Sequence, residues 1–221
     1  MSKTIFILGA SRGIGLGLVQ RFLDRGWSVI ASERSRSEDL HAVDHDALRI
    51  VTCDVTDAAS IDALDLEDGS LDALIVNAGI TGADHQDAAQ ATRDEIAEVM
   101  ETNAFGPVRT ARKLLPSVKD GGTIGFMSSL MGSIDDSSGG YDLYRTSKTS
   151  LNMLAKGLAE QQASERSIAT LALHPGWVQT DMGGPNAKLT VEESTSGLAD
   201  VIEGADGGFR YVDYKGEDLP F

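Results

Sequence analysis

The stretch YDLYRTSK, positions 141–148, holds two tyrosines three residues apart, each followed four positions later by a basic residue. Tyr141 is paired in this way with Arg145, and Tyr144 with Lys148. Side chains at i and i+4 share a helix face, so each cation would lie beside its phenol. A free phenol titrates near about pH 10, and a neighbouring positive charge favours the phenolate, which makes the group a usable acid or base. The same spacing arises by chance in many helices. These eight residues alone therefore leave open which pair, if either, handles a proton.

A second constellation is GASRGIG, positions 9–15. A glycine-rich turn between a strand and a helix lets main-chain N–H groups approach a pyrophosphate, whose charge the helix N-terminus favours. Gly9, Ser11, Arg12, Gly13, Ile14 and Gly15 are the candidate contacts. The spacing is G-x-x-x-G-x-G rather than the usual G-x-G-x-x-G. A tight turn with no ligand is the bland alternative, and the strand before and amphipathic helix after weigh against it. The next apolar run ends at SERSR, which puts Glu33 18 residues after Gly15, where an acid would bond ribose hydroxyls and favour NAD(H). Arg12 and Arg34 would instead hold a 2′-phosphate through charge-assisted bonds. Two cations against one anion lean narrowly to NADP(H), although a Glu33–Arg34 ion pair would cancel both.

The elements that must position these groups are legible as alternating apolar runs and helical stretches. Strands are expected at 4–8, 27–32, 48–55, 72–79, 122–129, 167–176 and 207–214, and helices at 13–26, about 92–118, 141–162 and 191–204. Continuous apolar strands separated by helices imply a parallel sheet covered on both faces. The expected fold class is thus α/β, a Rossmann-type doubly wound parallel sheet of about seven strands, in one domain spanning 1–221. Ligands in such sheets sit beyond the carboxyl ends of the strands, which is where the glycine turn falls.

Bulk composition narrows the function classes. The chain has 221 residues and a formal net charge of −15, which disfavours nucleic acid and anionic membrane surfaces as partners. No apolar run approaches the length of a membrane span. The single Cys53 precludes an internal disulfide, so a cytoplasmic location is expected. The four histidines, His41, His45, His85 and His174, are scattered, and no metal site is expected.

GASRGIG, then VNAG at 76–79, Asn103 in ETNAFGP, MSS at 127–129, YRTSK at 144–148 and HPGWVQTDM at 174–182 form one ordered series. In that order and spacing they resemble the short-chain dehydrogenase/reductase family. MSSLMGSI, GGYDLYRTSK, LHPGWVQTDMGGPNA and the closing FRYVDYKGEDLPF look like its carbonyl-reductase branch, which includes C-factor-like and sniffer-like proteins. The family pattern is Tyr-x-x-x-Lys, which only Tyr144 with Lys148 satisfies. Lys148 would lower the phenol's pKa, and Arg145 lacks the compact ammonium that also bonds ribose hydroxyls. By the same resemblance Ser129 would bond a substrate carbonyl together with Tyr144, with Ser128 as competitor and Ser133 a more distant option. Asn103 would interrupt the long helix and hold a water in a proton relay to Lys148. Asn77, Ala78 and Gly79 would support the cofactor edge, and Pro175, Gly176, Val178 and Thr180 would line the nicotinamide. Asp54, followed by Val55, would accept from adenine or else serve as a turn aspartate.

The implied activity is NAD(P)-dependent reduction of a small ketone or aldehyde by hydride transfer, with Tyr144 as proton donor. Met131, Tyr141, Leu143, Trp177 and Met182 would wall a mostly apolar substrate pocket, so an uncharged small-molecule substrate is expected. The long helices would pair with a second copy, giving a homodimer or homotetramer. Two alternatives remain at this point: an NAD-dependent alcohol dehydrogenase working oxidatively, and a nucleotide-binding signalling protein without turnover.

Overall fold

The computed structural model describes residues 2–221. Seven strands, β1 (Thr4–Leu8), β2 (Ser28–Glu33), β3 (Leu48–Thr52), β4 (Leu71–Val76), β5 (Val118–Met127), β6 (Ala169–His174) and β7 (Phe209–Asp213), form one sheet in the order β3-β2-β1-β4-β5-β6-β7. Every pairing is parallel. The apolar runs explain this arrangement. Along β1, Ile5, Phe6, Ile7 and Leu8 are all fully buried, because successive residues enter opposite cores. Phe6 and Leu8 join the core under one helical layer, and Ile5 and Ile7 join the core under the other.

Helices α1 (Gly13–Asp24) and α7 (Val191–Glu203) cover one face through Leu18, Phe22, Leu198 and Ile202. The opposite face carries α4 (Arg93–Met100), α5 (Gly106–Leu114) and α6 (Asp142–Leu158), through Val108, Leu114, Leu151 and Leu158. The short helices α2 (Glu38–His41) and α3 (Ala58–Asp62) were not expected from the sequence. They are single turns capped by Ser37 and Asp57, too short to show a helical period. The chain runs from β1 outward to β3, then returns to lay β4 on the other side of β1. That reversal opens a crevice beyond the carboxyl ends of β1 and β4.

The stretch expected as one helix from about 92 to 118 is divided. A capping box of Thr92 and Glu95 starts α4, a five-residue π-helical turn follows at Glu101–Phe105, and α5 resumes at Gly106. Asn103 is the central residue of that turn and is completely buried. Just beyond it, a Cβ on Gly106 would sit 2.2 Å from the carbonyl oxygen of Val55 and 2.7 Å from that of Glu101. Both obstacles are backbone, so an alanine there must push the helix off the strand end. Gly106→Ala is expected to destabilise the fold by about 1–3 kcal/mol, read as a lower urea midpoint. An unchanged midpoint would show that the helix start is free to move.

Candidate active site

The glycine turn follows β1 directly. Gly9 has φ +83 and lies where a Cβ would meet the Ala78 nitrogen at 2.7 Å, so a side chain is barred both by conformation and by space. Gly15 packs its bare Cα against the turn, since a Cβ would fall 2.1 Å from the Gly9 carbonyl oxygen. The Asn77 side chain donates to that same oxygen at 2.7 Å. The N-terminus of α1 has no side-chain cap and no acidic residue in its first turn. Its N–H groups therefore face a cleft of about 810 Å³ lined by Gly9, Ser11, Arg12, Gly13 and Ile14 on this side. Uncapped N–H groups, an absent Cβ and nearby arginines fit a pyrophosphate. Asp54, Val55, Ala78, Gly79, Pro175 and Thr180 also line the cleft, as do Tyr144 and Lys148.

Lys148 and Tyr144 project from one face of α6, with the ammonium 5.5 Å from the centre of the phenol ring. Lys148 is 3 % exposed and donates to the Met127 carbonyl oxygen at 2.8 Å, at the carboxyl end of β5. Burial pulls its pKa down to about 8. Burial also governs Tyr144, raising it above the usual tyrosine value, while a hydrogen bond with Ser129 pulls the other way. The net direction is opposite to the depression expected from Lys148, because loss of solvent outweighs the hydrogen bond. Tyr141, by contrast, stands at the N-cap of α6 in a left-handed conformation and is 58 % exposed. Arg145 donates to the Gly140 carbonyl at 3.0 Å.

The three candidate serines have different partners. Ser128 donates to Asn152 Oδ1 at 2.6 Å, and Ser133 accepts from the Asp136 N–H at 3.0 Å. Ser129 accepts from the Met131 N–H at 3.2 Å and is the serine beside the Tyr144 phenol. Ser128, though, is the one of the three that touches the cleft wall. Asn103 spends both amide hydrogens inside the protein, on the Ile80 carbonyl at 2.7 Å and the Ser147 hydroxyl at 2.9 Å. Its Oδ1 accepts from the Ile80 N–H at 2.8 Å. The side-chain amide therefore anchors the loop after β4. Gly79 leaves room for both groups, since Asn103 Oδ1 and Lys148 Nζ each lie 3.3 Å from where its Cβ would be.

Several expected contacts are elsewhere. Glu33 is 6 % exposed and turned inward, accepting from the Ser37 N–H at 2.7 Å and pairing with His41 at 2.8 Å. Burial pushes its carboxyl up, but the bonds from His41 and Ser37 outweigh that and hold it below the usual range. It does not line the cleft, whereas Arg34 does. Gly176 and Val178 also lie off the cleft wall: Val178 is buried in a bridge with Leu189, and a Cβ on Gly176 would strike that leucine at 2.3 Å. Of the five expected substrate-pocket residues only Met182 lines the cleft. Leu143 faces the core, Met131 lies in a 3-10 turn, Tyr141 points outward and Trp177 donates to the Gly183 carbonyl at 2.8 Å. Asp54 holds a turn by accepting twice from Thr56 while also lining the cleft. Gln86 was not anticipated. Its side-chain oxygen accepts from the Tyr144 N–H at 3.1 Å and its carbonyl from the Asp142 N–H at 2.9 Å, so it seats the start of α6. Asn152, one helical turn beyond Lys148, was legible as the next residue in the 144, 148, 152 series.

With this geometry in place, comparison with known proteins decides the family. The profile described as short chain dehydrogenase matches residues 3–189. The chain belongs to that family. Like the short-chain dehydrogenases named among its relatives, it is an oxidoreductase of CH–OH and C=O groups that uses a nicotinamide cofactor. It is 36 % identical over 165 residues to the C-signal protein of Myxococcus xanthus, covering 69 % of this chain and 94 % of that one. A carbonyl reductase from Pseudomonas aeruginosa PAO1 in complex with NADP superposes with a TM-score of 0.92 at 39 % identity, over 100 % of both chains. The carbonyl reductase Sniffer of D. melanogaster superposes at 0.89 with 31 % identity, again over 100 % of both. Among the described residues, no helix is long and apolar enough to cross a membrane, and no group of three or more His, Cys, Asp or Glu is placed to hold a metal ion.

The buried lysine makes a stability prediction. Between about pH 8 and 10.5 the unfolded chain holds a proton at Lys148 that the folded chain does not, so this group's contribution to stability rises with pH across that window. Lys148→Met removes the buried charge. The variant is expected to melt a few degrees above the parent at pH 7, with the advantage shrinking as pH climbs toward 10.5. Thermal denaturation over a pH series checks this, and a constant offset at every pH would contradict it.

Proposed function

We propose that this short-chain dehydrogenase reduces a small, uncharged and mostly apolar ketone or aldehyde with NADPH. The observation that carries the reading is the Tyr144 phenol, flanked by Ser129 and by the buried Lys148 ammonium, at the mouth of the glycine-turn cleft. The turn residues Gly9 to Gly15, with Arg12 and Arg34, would hold the pyrophosphate and 2′-phosphate; Asp54 and Val55 would flank the adenine, and Pro175 and Thr180 the nicotinamide. Once bound, the nicotinamide supplies the hydride. Tyr144 gives the proton to the developing alkoxide, and burial keeps the phenol protonated at neutral pH until a bound substrate accepts that proton. Ser129 adds a second hydrogen bond to the same oxygen, so that the two hydroxyls stabilise the charge where it forms. Lys148 supplies the positive field beside the phenol and ribose, and Asn103 holds the loop that borders them.

NADP(H) is favoured over NAD(H) because the one acid expected at the ribose, Glu33, is bonded to Ser37 and His41, while Arg34 lines the cleft. The NADP complex of the similar carbonyl reductase supports the same choice. Ile96, Phe105 and Met153, exposed on the α4–α6 layer, support pairing with a second copy as a homodimer or homotetramer.

The deciding experiment is a panel of apolar aldehydes, ketones and quinones assayed by NADPH and NADH oxidation. Reduction of at least one member with NADPH preferred is expected. Binding of NADPH with no turnover across the panel would favour a nucleotide-binding protein instead. Tyr144→Phe is expected to lower kcat by about 10²–10⁴-fold with NADPH affinity retained. Arg34→Ala is expected to weaken NADPH binding about tenfold and leave NADH nearly unchanged, measured by cofactor fluorescence. Equal losses for both cofactors would remove Arg34 from the 2′-phosphate.

A further inference from the structure

Strand β7 lies beyond the residues that the family profile matches, and it carries Tyr211. The Tyr211 ring is 2 % exposed, and its hydroxyl donates to the main-chain carbonyl of Ser129, in the loop after β5. To get there it crosses β6, where its register partner is the small Ala172. The Ser129 carbonyl also accepts from the Gly132 N–H at 2.8 Å, so two donors fix the orientation of that peptide.

Asn152 completes the arrangement. It is 3 % exposed on α6, accepts from the Ser128 hydroxyl at 2.6 Å, and its buried Nδ2 has no protein hydrogen-bond partner. The Asn152 side chain lies beside the Tyr211 phenol, with Asp136 and Tyr144 also near it. Ser128, Asn152, Tyr211 and Ser129 therefore form a ring of contacts, closed by the peptide bond joining the two serines. Ser129 has an extended backbone, φ −158 and ψ 148. Adjacent residues in extended chain point their side chains in opposite directions, so only one of two neighbouring serines can face a given phenol. A rotation of this segment would exchange them.

We propose that Tyr211 and Asn152 are positioning residues that decide which serine meets Tyr144: Asn152 holds the Ser128 hydroxyl back, and Tyr211 pins the Ser129 peptide so that its hydroxyl faces the phenol. The proposal rests on the reading of Ser129 as the partner of Tyr144 in carbonyl reduction. It extends the site to the last strand, none of whose residues lines the cofactor cleft. A simpler role for the Tyr211 hydroxyl, a buried polar group satisfied by the nearest carbonyl, predicts a loss of stability without a change in chemistry.

Tyr211→Phe tests the difference, since it keeps the ring and removes the hydroxyl. With phenanthrenequinone as the probe carbonyl, kcat is expected to fall about tenfold while the Kd for NADPH is unchanged. In a Ser129→Ala background the same substitution should cause no further loss, because the group being positioned is gone. Additive losses, or an unaltered kcat in the single variant, overturn the proposal. Phe221→Ala is the packing control: its ring lies 5.5 Å from that of Tyr211, and truncating it loosens the same corner without removing the hydroxyl. A kcat loss in Phe221→Ala equal to that in Tyr211→Phe also overturns the proposal. Full turnover in Ser129→Ala alone would instead reject the serine assignment. A crystal structure of Tyr211→Phe judges the positioning without any substrate: the Ser129 hydroxyl is expected out of reach of Tyr144, and an unmoved hydroxyl refutes the role.

Discussion

Placing an ammonium inside the protein is the constraint around which the site is organised. Lys148 is 3 % exposed, and burial alone accounts for the fall of its pKa to about 8. The charge survives at neutral pH because it is given an acceptor, the Met127 carbonyl at the end of β5, and lies over the face of the Tyr144 ring. A carboxylate partner would have been a cheaper way to bury it, but would have cancelled its field. Held by a neutral carbonyl, the ammonium keeps its positive potential in a poorly screened setting, where a unit charge acts far more strongly than in water. Such a field acts most on a neighbour that can become negative, and the Tyr144 phenol ring lies 5.5 Å away.

The surroundings follow from that charge. Lys148 needs space next to Gly79, and the same point is approached by Asn103 Oδ1. Asn103 reaches it because the helix swells into a π turn there, then returns to regular geometry at Gly106, which has no side chain to strike Val55. Asn103 also donates to the Ser147 hydroxyl, which in turn donates to the Tyr144 carbonyl at 2.7 Å. The helix bearing the phenol is therefore tied to the helix bearing Asn103 through buried polar contacts as well as through apolar packing. Gln86 closes the third side by accepting from the first N–H groups of α6. Rigid support on each side keeps the phenol within reach of one serine, a precision that loose packing would not provide.

The architecture was largely legible in the sequence because parallel strands buried on both faces leave continuous apolar runs, of which TIFIL is the plainest. What escaped was geometry that no period encodes. A single-turn helix such as Glu38–His41 has too few residues to repeat. The π turn keeps the apolar spacing of a helix closely enough that 92–118 looked uninterrupted apart from the motif around Asn103. Glu33 had the spacing of a ribose ligand, yet spacing reports position along the chain and not the direction of a carboxylate, which here was claimed by His41 and Ser37. Leu143 and Trp177 were placed in the substrate pocket because they lie in the right segments, and their side chains turn to the core and to Gly183. Residues that matter through hydrogen bonding from distant strands, Tyr211 above all, carry no local signal.

The charge distribution shows how so acidic a protein can receive an anion. The net charge is −15, yet the phosphate end of the cleft presents Arg12, Arg34 and an uncapped helix N-terminus. Asp39, Asp54 and Asp181 also line the cleft, whereas Glu33 does not. Glu33 is consumed internally, holding the loop that carries Arg34 against the glycine turn, where the Ser37 hydroxyl donates to the Ser11 carbonyl at 2.7 Å. Asp181 does pair with Arg12, at 2.9 Å, but both side chains are more than three-quarters exposed. A pair so open to water contributes little to stability, so Arg12 can leave it for a phosphate at small cost. Surface acidity then acts on the competitors rather than on the ligand: it repels polyanions too large to enter, while the cleft keeps a local field that a single dinucleotide can reach.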